Sequence, residues 1–206
     1  IKTVKSKSVP QLKTNSPLHL NNKKIQQSTQ KQVKEQKSKS KKPSKKDMKK
    51  LLHYYQTGDL KPAEKQALFI TKKFPEFSFG WKALGEIMRL TGRLSEAMSA
   101  IKKAIKLNPT DAEAHNNLGA TLKEMGQLHA AEASFKYALN LKPNYTNAIN
   151  NLGIALQECG KMKESEDCFN QVLNLEPDFA AAHANLAKLL TELSRFDEAE
   201  KSFVRT

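Results

Sequence analysis

The chain has 206 residues, with 35 Lys and Arg against 21 Asp and Glu, which gives a formal net charge of +14. Sixteen of the basic residues lie in the first 50 positions, where only Glu35 and Asp47 oppose them, so residues 51–206 are formally neutral. The sequence therefore divides into a basic arm and an uncharged body long enough for an ordinary core. No apolar run reaches the roughly 18 residues of a membrane span, and no apolar signal-peptide segment opens the chain, so neither is predicted.

Residues 1–43 form a Lys-rich tail with no Phe, Trp or Tyr, a composition typical of disorder. Its densest basic run is KSKSKKPSKK at residues 37–46. All cations there are Lys and no aromatic side chain can stack on bases, so specific nucleic-acid binding is not expected. We predict a solvating spacer; the alternatives are weak contact with acidic surfaces and a signal like those for nuclear import.

A 34-residue period organises the rest of the chain. It is marked by prolines at regular spacing, Pro75, Pro109, Pro143 and Pro177. Placing this proline at position 32 of each repeat predicts units at residues 44–77, 78–111, 112–145, 146–179 and 180–206. The first unit is divergent and the last is incomplete.

Columns of small and large residues within the repeat predict two closely packed helices per unit. Position 8 is Gly85, Gly119, Gly153 and Ala187, and position 20 is Ala63, Ala97, Ala131, Ser165 and Ala199. Position 24 is Ala67, Ile101, Phe135, Phe169 and Phe203. Small residues let helices approach, and the large ones fill the remaining space.

Position 15 of the repeat is Gly in four units and Ser194 in the fifth, which suits a left-handed residue after the first helix. The proline at position 32 ends the second helix. Each unit is thus predicted to be two antiparallel helices of about fourteen residues. Since one such hairpin cannot bury its own apolar face, we expect an all-α solenoid of about five stacked helix-turn-helix units.

The motifs WKALG at residues 81–85 and NNLG at 116–119 and 150–153 resemble those of tetratricopeptide repeats, as do the Ala, Phe and Pro columns. The resemblance covers residues 44–206 and implies a non-catalytic scaffold that binds a protein or peptide partner on the concave face of the solenoid. In that family, positions 2, 6, 9 and 13 line this face. The candidate binding residues at these positions are Asn117, Asn151, Asn185, Glu124, Glu158, Glu192 and Asn147.

An Asn amide both donates and accepts hydrogen bonds, so a row of asparagines could hold an extended peptide backbone whatever its side chains. The alternative is that these asparagines are ordinary polar residues on a solvated face or bonded to a neighbouring helix. Both interpretations stay open from the sequence.

Units three to five are also similar to the repeat arm of the O-linked N-acetylglucosamine transferase and Spindly group, where an asparagine ladder guides protein substrates. Similar arms precede sulfotransferase domains. The alternative function is therefore a substrate-selecting arm of a longer transferase. The chain begins with Ile1 and stops at Thr206 inside a predicted helix, so we expect a fragment or a processed product.

The carboxylate clamp of cochaperone repeats is not expected, because Glu86 stands where the pattern requires Asn. No catalytic, metal or cofactor motif is recognisable. His115 and His183 share position 4 and are interpreted as packing residues. Cys159 and Cys168 form no CxxC motif, which favours reduced thiols and a cytoplasmic location.

Overall fold

The computed structural model describes residues 42–203. Within that range the chain forms ten α-helices and no strand. The helices are α1 (Lys45–Gln56), α2 (Leu60–Lys73), α3 (Ser78–Leu90), α4 (Leu94–Leu107), α5 (Ala112–Glu124), α6 (Leu128–Leu141), α7 (Thr146–Glu158), α8 (Met162–Leu175), α9 (Ala180–Glu192) and α10 (Phe196–Phe203). The predicted tail lies outside the described residues except for Lys42 and Pro43.

Each helix packs against the next helix along the chain, and α3, α5, α7 and α9 also contact one another in series. The odd-numbered helices thus form one side of the stack, which we call the inner face, and the even-numbered helices form the outer layer. This is the all-α solenoid of stacked hairpins that the 34-residue period predicts.

The turn inside each hairpin depends on one left-handed residue. Gly58, Gly92, Gly126 and Gly160 have φ between 74° and 76°, and Ser194 has φ 59°. After Gly126, for example, the amide of Gln127 donates to the carbonyl of Leu122, which closes the end of α5. The conformation predicted at position 15 is confirmed, including at the one unit that lacks glycine.

The turn between hairpins is held by the side chain at position 4. Trp81 Nε1 donates to the carbonyl oxygen of Pro75 at 2.8 Å. A ring nitrogen of His115 lies 3.0 Å from the carbonyl oxygen of Pro109, and one of His183 lies 2.8 Å from that of Pro177. These histidines are therefore hydrogen-bonded to the loop six residues before them, a contact more specific than helix packing.

The core consists of the close contacts between the two helices of a hairpin. Ala131 and Phe135 on α6 are fully buried. A Cβ atom added to Gly119 on α5 would lie 2.6 Å from the Phe135 ring, far inside van der Waals contact. The next hairpin repeats this arrangement with Gly153 and Phe169, so position 8 must be nearly empty wherever position 24 is aromatic.

We expect Ala131→Leu to overpack the α5–α6 contact and to lower the free energy of unfolding by about 1–3 kcal/mol, because Ala131 has no exposed surface. Urea unfolding followed by circular dichroism measures the effect. Ala133→Leu on the exposed side of the same helix is the control and should change stability little. Equal midpoints for the two variants would contradict the packing described here.

Gly126→Ala should lower the free energy of unfolding by about 1–2 kcal/mol, because a Cβ atom is strained in the left-handed region. The space around Gly126 is open, so no clash contributes to this effect. Ser194→Gly should instead raise stability, by up to about 1 kcal/mol, because Ser194 already has the left-handed φ. Thermal unfolding of the two variants should shift in opposite directions; shifts of the same sign would contradict the assignment.

Candidate functional site

The predicted asparagines lie on the inner face, and two of them link neighbouring hairpins. Asn151 Nδ2 on α7 donates to Asn116 Oδ1 on α5 at 3.0 Å, and Asn185 Nδ2 on α9 donates to Asn150 Oδ1 on α7 at 2.9 Å. The two acceptors are buried. Each link therefore satisfies a buried amide oxygen and fixes the spacing of two inner helices.

Asn117 stands at the start of this row and is bonded differently. Its Oδ1 lies 3.4 Å from Nδ2 of Asn116 on the same helix. The residue of the preceding hairpin that corresponds to Asn116 and Asn150 is Lys82, which is engaged with carboxylates. Asn147, in the first turn of α7, is exposed, and its side chain makes no hydrogen bond with another described residue.

The predicted glutamates form a second row along the same face. Glu124 accepts from Arg89, Glu158 from Lys123 at 3.3 Å, and Glu192 from Gln157 at 2.6 Å. In each case the donor belongs to the preceding inner helix, 35 residues earlier in the chain. The glutamates are thus brought into one periodic set of links between hairpins, parallel to the asparagine set.

A small cavity opens on the inner face between α1, α3 and α5. Its volume is about 150 Å³. Its lining residues are Leu51, Leu52, Tyr55, Phe79, Lys82, Ala83, Glu86, Glu113 and Asn117. Leu52 is 41% exposed and Tyr55 is 38% exposed, so apolar surface faces solvent at the mouth of the cavity. Asn117 is the one predicted binding residue that the structure brings to this cavity.

Two cations at or near the cavity, the buried Lys82 and the half-buried Arg89, are each held by two carboxylates. Lys82 Nζ lies 3.0 Å from Asp111 and 2.6 Å from Glu113, and its side chain is only 10% exposed, against 58% for Glu113. Arg89 pairs with Glu86 at 2.6 Å and with Glu124. Four carboxylates surround these two cations, so the local potential is negative.

Two nearby tyrosines have raised pKa values, first because they are partly buried and second because these carboxylates are close. Burial, followed by the charges of Glu113, Asp111 and Glu86, raises the pKa of Tyr145 to about 12. Burial and then the charge of Glu86 raise the pKa of Tyr55, whose hydroxyl is 3.5 Å from a Glu86 oxygen. Both phenols are therefore neutral hydrogen-bonding groups at physiological pH.

Sequence reasoning missed Asn116, Asn150 and the cavity. The signal for the two buried asparagines was available, since each precedes a predicted site residue in an Asn-Asn pair within NNLG. The cavity had no such signal, because its walls come from three hairpins and from repeat positions with no common residue type.

One group of side chains resembles a metal site by geometry. Ligand atoms of His129, Glu132 and Cys159 lie within 4.8 Å of one another. However, both oxygens of Glu132 already accept hydrogen bonds, from Lys136 at 2.6 Å and Lys161 at 3.0 Å. A metal ion would have to displace these two ammonium groups, so we assign no metal to this group.

Comparison with known proteins agrees with this architecture. Family models described as TPR repeat and as tetratricopeptide repeat match residues 85–126 and residues 112–145 and 146–179. No curated protein is similar enough in sequence to count as a match. Every helix within residues 42–203 is too short or too polar to cross a bilayer.

Three solved structures illustrate the similarity. A thermophilic TPR protein of Thermus thermophilus is 19% identical, with a TM-score of 0.70 over 78% of this chain and 88% of that one. MamA from Desulfovibrio magneticus RS-1 is 17% identical, with a TM-score of 0.66 over 78% and 91%. The first TPR of Spaghetti, bound to the HSP90 peptide SRMEEVD, is 24% identical, with a TM-score of 0.54 over 57% and 93%.

At these identities the solved structures establish the fold alone. The sequence models, the 34-residue period and the stacked hairpins agree on the assignment. Folds of this kind generally mediate protein–protein interactions. The chain belongs to the tetratricopeptide repeat family.

Proposed function

We propose that this chain is a non-catalytic scaffold that binds an extended peptide or a helix of a partner protein along its inner face. The observation that carries the proposal is the cavity between α1, α3 and α5, which has an apolar mouth at Leu52 and Tyr55 and an amide, Asn117, in its wall. A concave site with apolar walls and a few polar groups is the usual form of a binding site. Its volume suits a single apolar side chain.

The asparagine row supports an extended ligand beyond the cavity. Asn151 and Asn185 each use one N–H on the neighbouring hairpin, and no other described residue hydrogen-bonds to their amide oxygens. These oxygens and the exposed Asn147 are free to bond a peptide backbone. We therefore keep Asn117, Asn151, Asn185 and Asn147 as proposed ligand contacts, and assign Glu124, Glu158 and Glu192 first to the links between hairpins.

The bound HSP90 peptide of the Spaghetti structure, SRMEEVD, indicates what this chain would not prefer. In this chain the cation that would meet an acidic peptide, Lys82, is already neutralised by Asp111 and Glu113. Glu86 lines the cavity and would repel a carboxylate. We therefore propose an apolar anchor residue, without a terminal carboxylate, as the preferred ligand feature.

The second candidate function is a substrate-selecting arm of a longer transferase. It rests on the asparagine row, which resembles the guiding ladder of glycosyltransferase arms. Reading the coding sequence past both ends of the chain distinguishes the two candidates. A transferase domain in the same reading frame would establish the arm, and stop codons soon outside both ends would remove it. A cytoplasmic location remains a prediction.

Replacing Asn117, Asn151 and Asn185 together by Ala should weaken capture of peptides on an array, because three backbone-binding amides are lost. Loss of two links between hairpins should also lower stability, by about 1 kcal/mol for each link. The control is N140A/N170A/N174A, which removes three exposed asparagines from the even-numbered helices. Unchanged peptide capture by the inner-face variant, with circular dichroism confirming folded protein, would contradict the asparagine proposal.

Filling the cavity tests directly whether it holds an apolar anchor residue of the ligand. Ala83→Trp places an indole at the cavity lining and should abolish selection of apolar residues on the same array. Ala130→Trp, at an exposed position of α6, is the matched control. If A83W and A130W selected the same peptides, the cavity would not be the anchor site.

A further inference from the structure

A second surface, unrelated to the inner face, lies at the N-terminal end of the stack. It is an open cavity of about 700 Å³ on α1 and α2. Four lysines line it: Lys46, Lys50, Lys61 and Lys65. We call this surface the end face. All four lysines are exposed.

None of the end-face lysines is paired with a carboxylate of the described residues. In contrast, Lys82, Arg89 and Arg195 are each held by carboxylates at 3.0 Å or less. The ammonium group of each of the four lysines forms no ion pair with a residue that the structure describes. Their positive charges are therefore concentrated on one concave surface.

The single carboxylate among the residues that line the end face, Asp47, offsets one of the four positive charges, so the lining keeps a net positive charge. Asp47 lines the cavity, but one of its oxygens accepts from the Ser44 hydroxyl at 2.6 Å and from the Ser44 amide at 3.2 Å. Asp47 thus serves the cap of α1. The lysines lie around it without contacting it.

The corresponding positions in the next hairpin show that the end face differs from a stacking surface. Gly80 and Leu84 occupy the places of Lys46 and Lys50, and both are buried. A Cβ atom on Gly80 would lie 2.8 Å from Ile70 of the preceding hairpin. Lysines at such places would have to bury two charges against a further hairpin, which is strongly unfavourable. The end face is therefore suited to a charged partner and not to another repeat.

We propose that the end face binds an acidic, Asp- or Glu-rich segment of a partner protein. Four unpaired ammonium groups around one cavity complement a run of carboxylates. The aromatic residues at the cavity are poorly placed to stack nucleobases, because their rings already face lysines. Lys50 Nζ is 5.9 Å from the Tyr54 ring centroid and Lys73 Nζ is 5.2 Å from that of Phe69. Single-stranded nucleic acid, which binds by stacking together with charge, fits this surface less well.

Counting charges separately for residues 1–50 and 51–206 concealed this surface. It assigned Lys45, Lys46, Lys49 and Lys50 to the basic arm and left the body neutral, whereas the structure places all four in α1. The folded part of the chain thus carries a basic surface of its own.

The proposal is tested with the full chain and the variant K46Q/K50Q/K61Q/K65Q. The control K102Q/K103Q/K106Q/K142Q removes the same charge from α4 and from the end of α6. None of these control lysines forms an ion pair with a described residue. The probes are a fluorescent oligoglutamate peptide and a fluorescent oligothymidylate of equal charge, titrated by anisotropy at low and at moderate salt.

We expect the end-face variant to bind oligoglutamate about five- to tenfold more weakly than the original chain, since four charge contacts of modest strength are lost. The control variant should change affinity less than about twofold, because charges beyond the Debye length contribute little. Equal losses in the two variants would overturn the proposal, because net charge alone would explain them. So would the absence of binding by the original chain.

Tighter binding of oligothymidylate than of oligoglutamate, lost in the end-face variant, would also overturn it and identify a nucleic-acid surface. Circular dichroism checks that both variants fold, which is expected because the substituted lysines are exposed, except for the half-buried Lys103 of the control. The proposal does not depend on the inner face. A chain that failed the peptide array could still bind oligoglutamate, and the reverse could also occur.

Discussion

The close approach of the two helices in each hairpin is the constraint on which the rest of the structure depends. Gly119 faces Phe135, and Gly153 faces Phe169. At either glycine a single methyl group would overlap sterically with the aromatic ring. The ring fills the space that glycine leaves, so the two residues together set the distance between the layers. Ser165 adds a polar version of the same approach, with its hydroxyl donating to the carbonyl oxygen of Gly153 at 2.8 Å. These contacts therefore also fix where the odd-numbered helices of the inner face lie relative to the outer layer.

The inner face and the end face follow from this arrangement in different ways. On the inner face, successive odd-numbered helices present equivalent positions side by side, so a residue type that recurs in the sequence becomes a row in space. Asn151 and Asn185 form such a row together with their buried partners. At the end face no further described hairpin packs against α1, so side chains at positions that are buried in the next hairpin can carry charge. Lys46 and Lys50 are the result.

The sequence predicts those features that one repeat defines by itself. The left-handed turn at position 15, the helix stop before the proline and the small-to-large packing pairs all involve residues of one unit. They are therefore visible as columns, and the structure confirms them. The candidate site was predicted only in part. Asn117, Asn151 and Asn185 were identified by position, but the sequence left open whether they bind a peptide or bond to a neighbouring helix, because periodicity shows where a residue recurs and not what it contacts.

Features that combine unlike positions from several units were beyond sequence reasoning. The cavity needs Leu52 from one hairpin, Phe79 from the next and Asn117 from a third, and no column contains all three. The ion pairs near the cavity were also hidden from the sequence, because their partners occupy unlike positions in different repeats. Lys82 reads as an ordinary surface lysine until folding brings Asp111 and Glu113 to it from the following loop and helix.

The polar links along the inner face have a mechanical consequence. Each bond from Asn151 or Asn185, and each from Lys123 or Gln157, joins only adjacent odd-numbered helices. We therefore expect the angle between two adjacent hairpins to change without a change in the angle of the next pair. A ligand that spans α1, α3 and α5 would restrict only the two contacts between hairpins that it bridges. The contacts between the later hairpins would stay flexible, so the C-terminal end of the solenoid could still change its pitch when it binds a second partner.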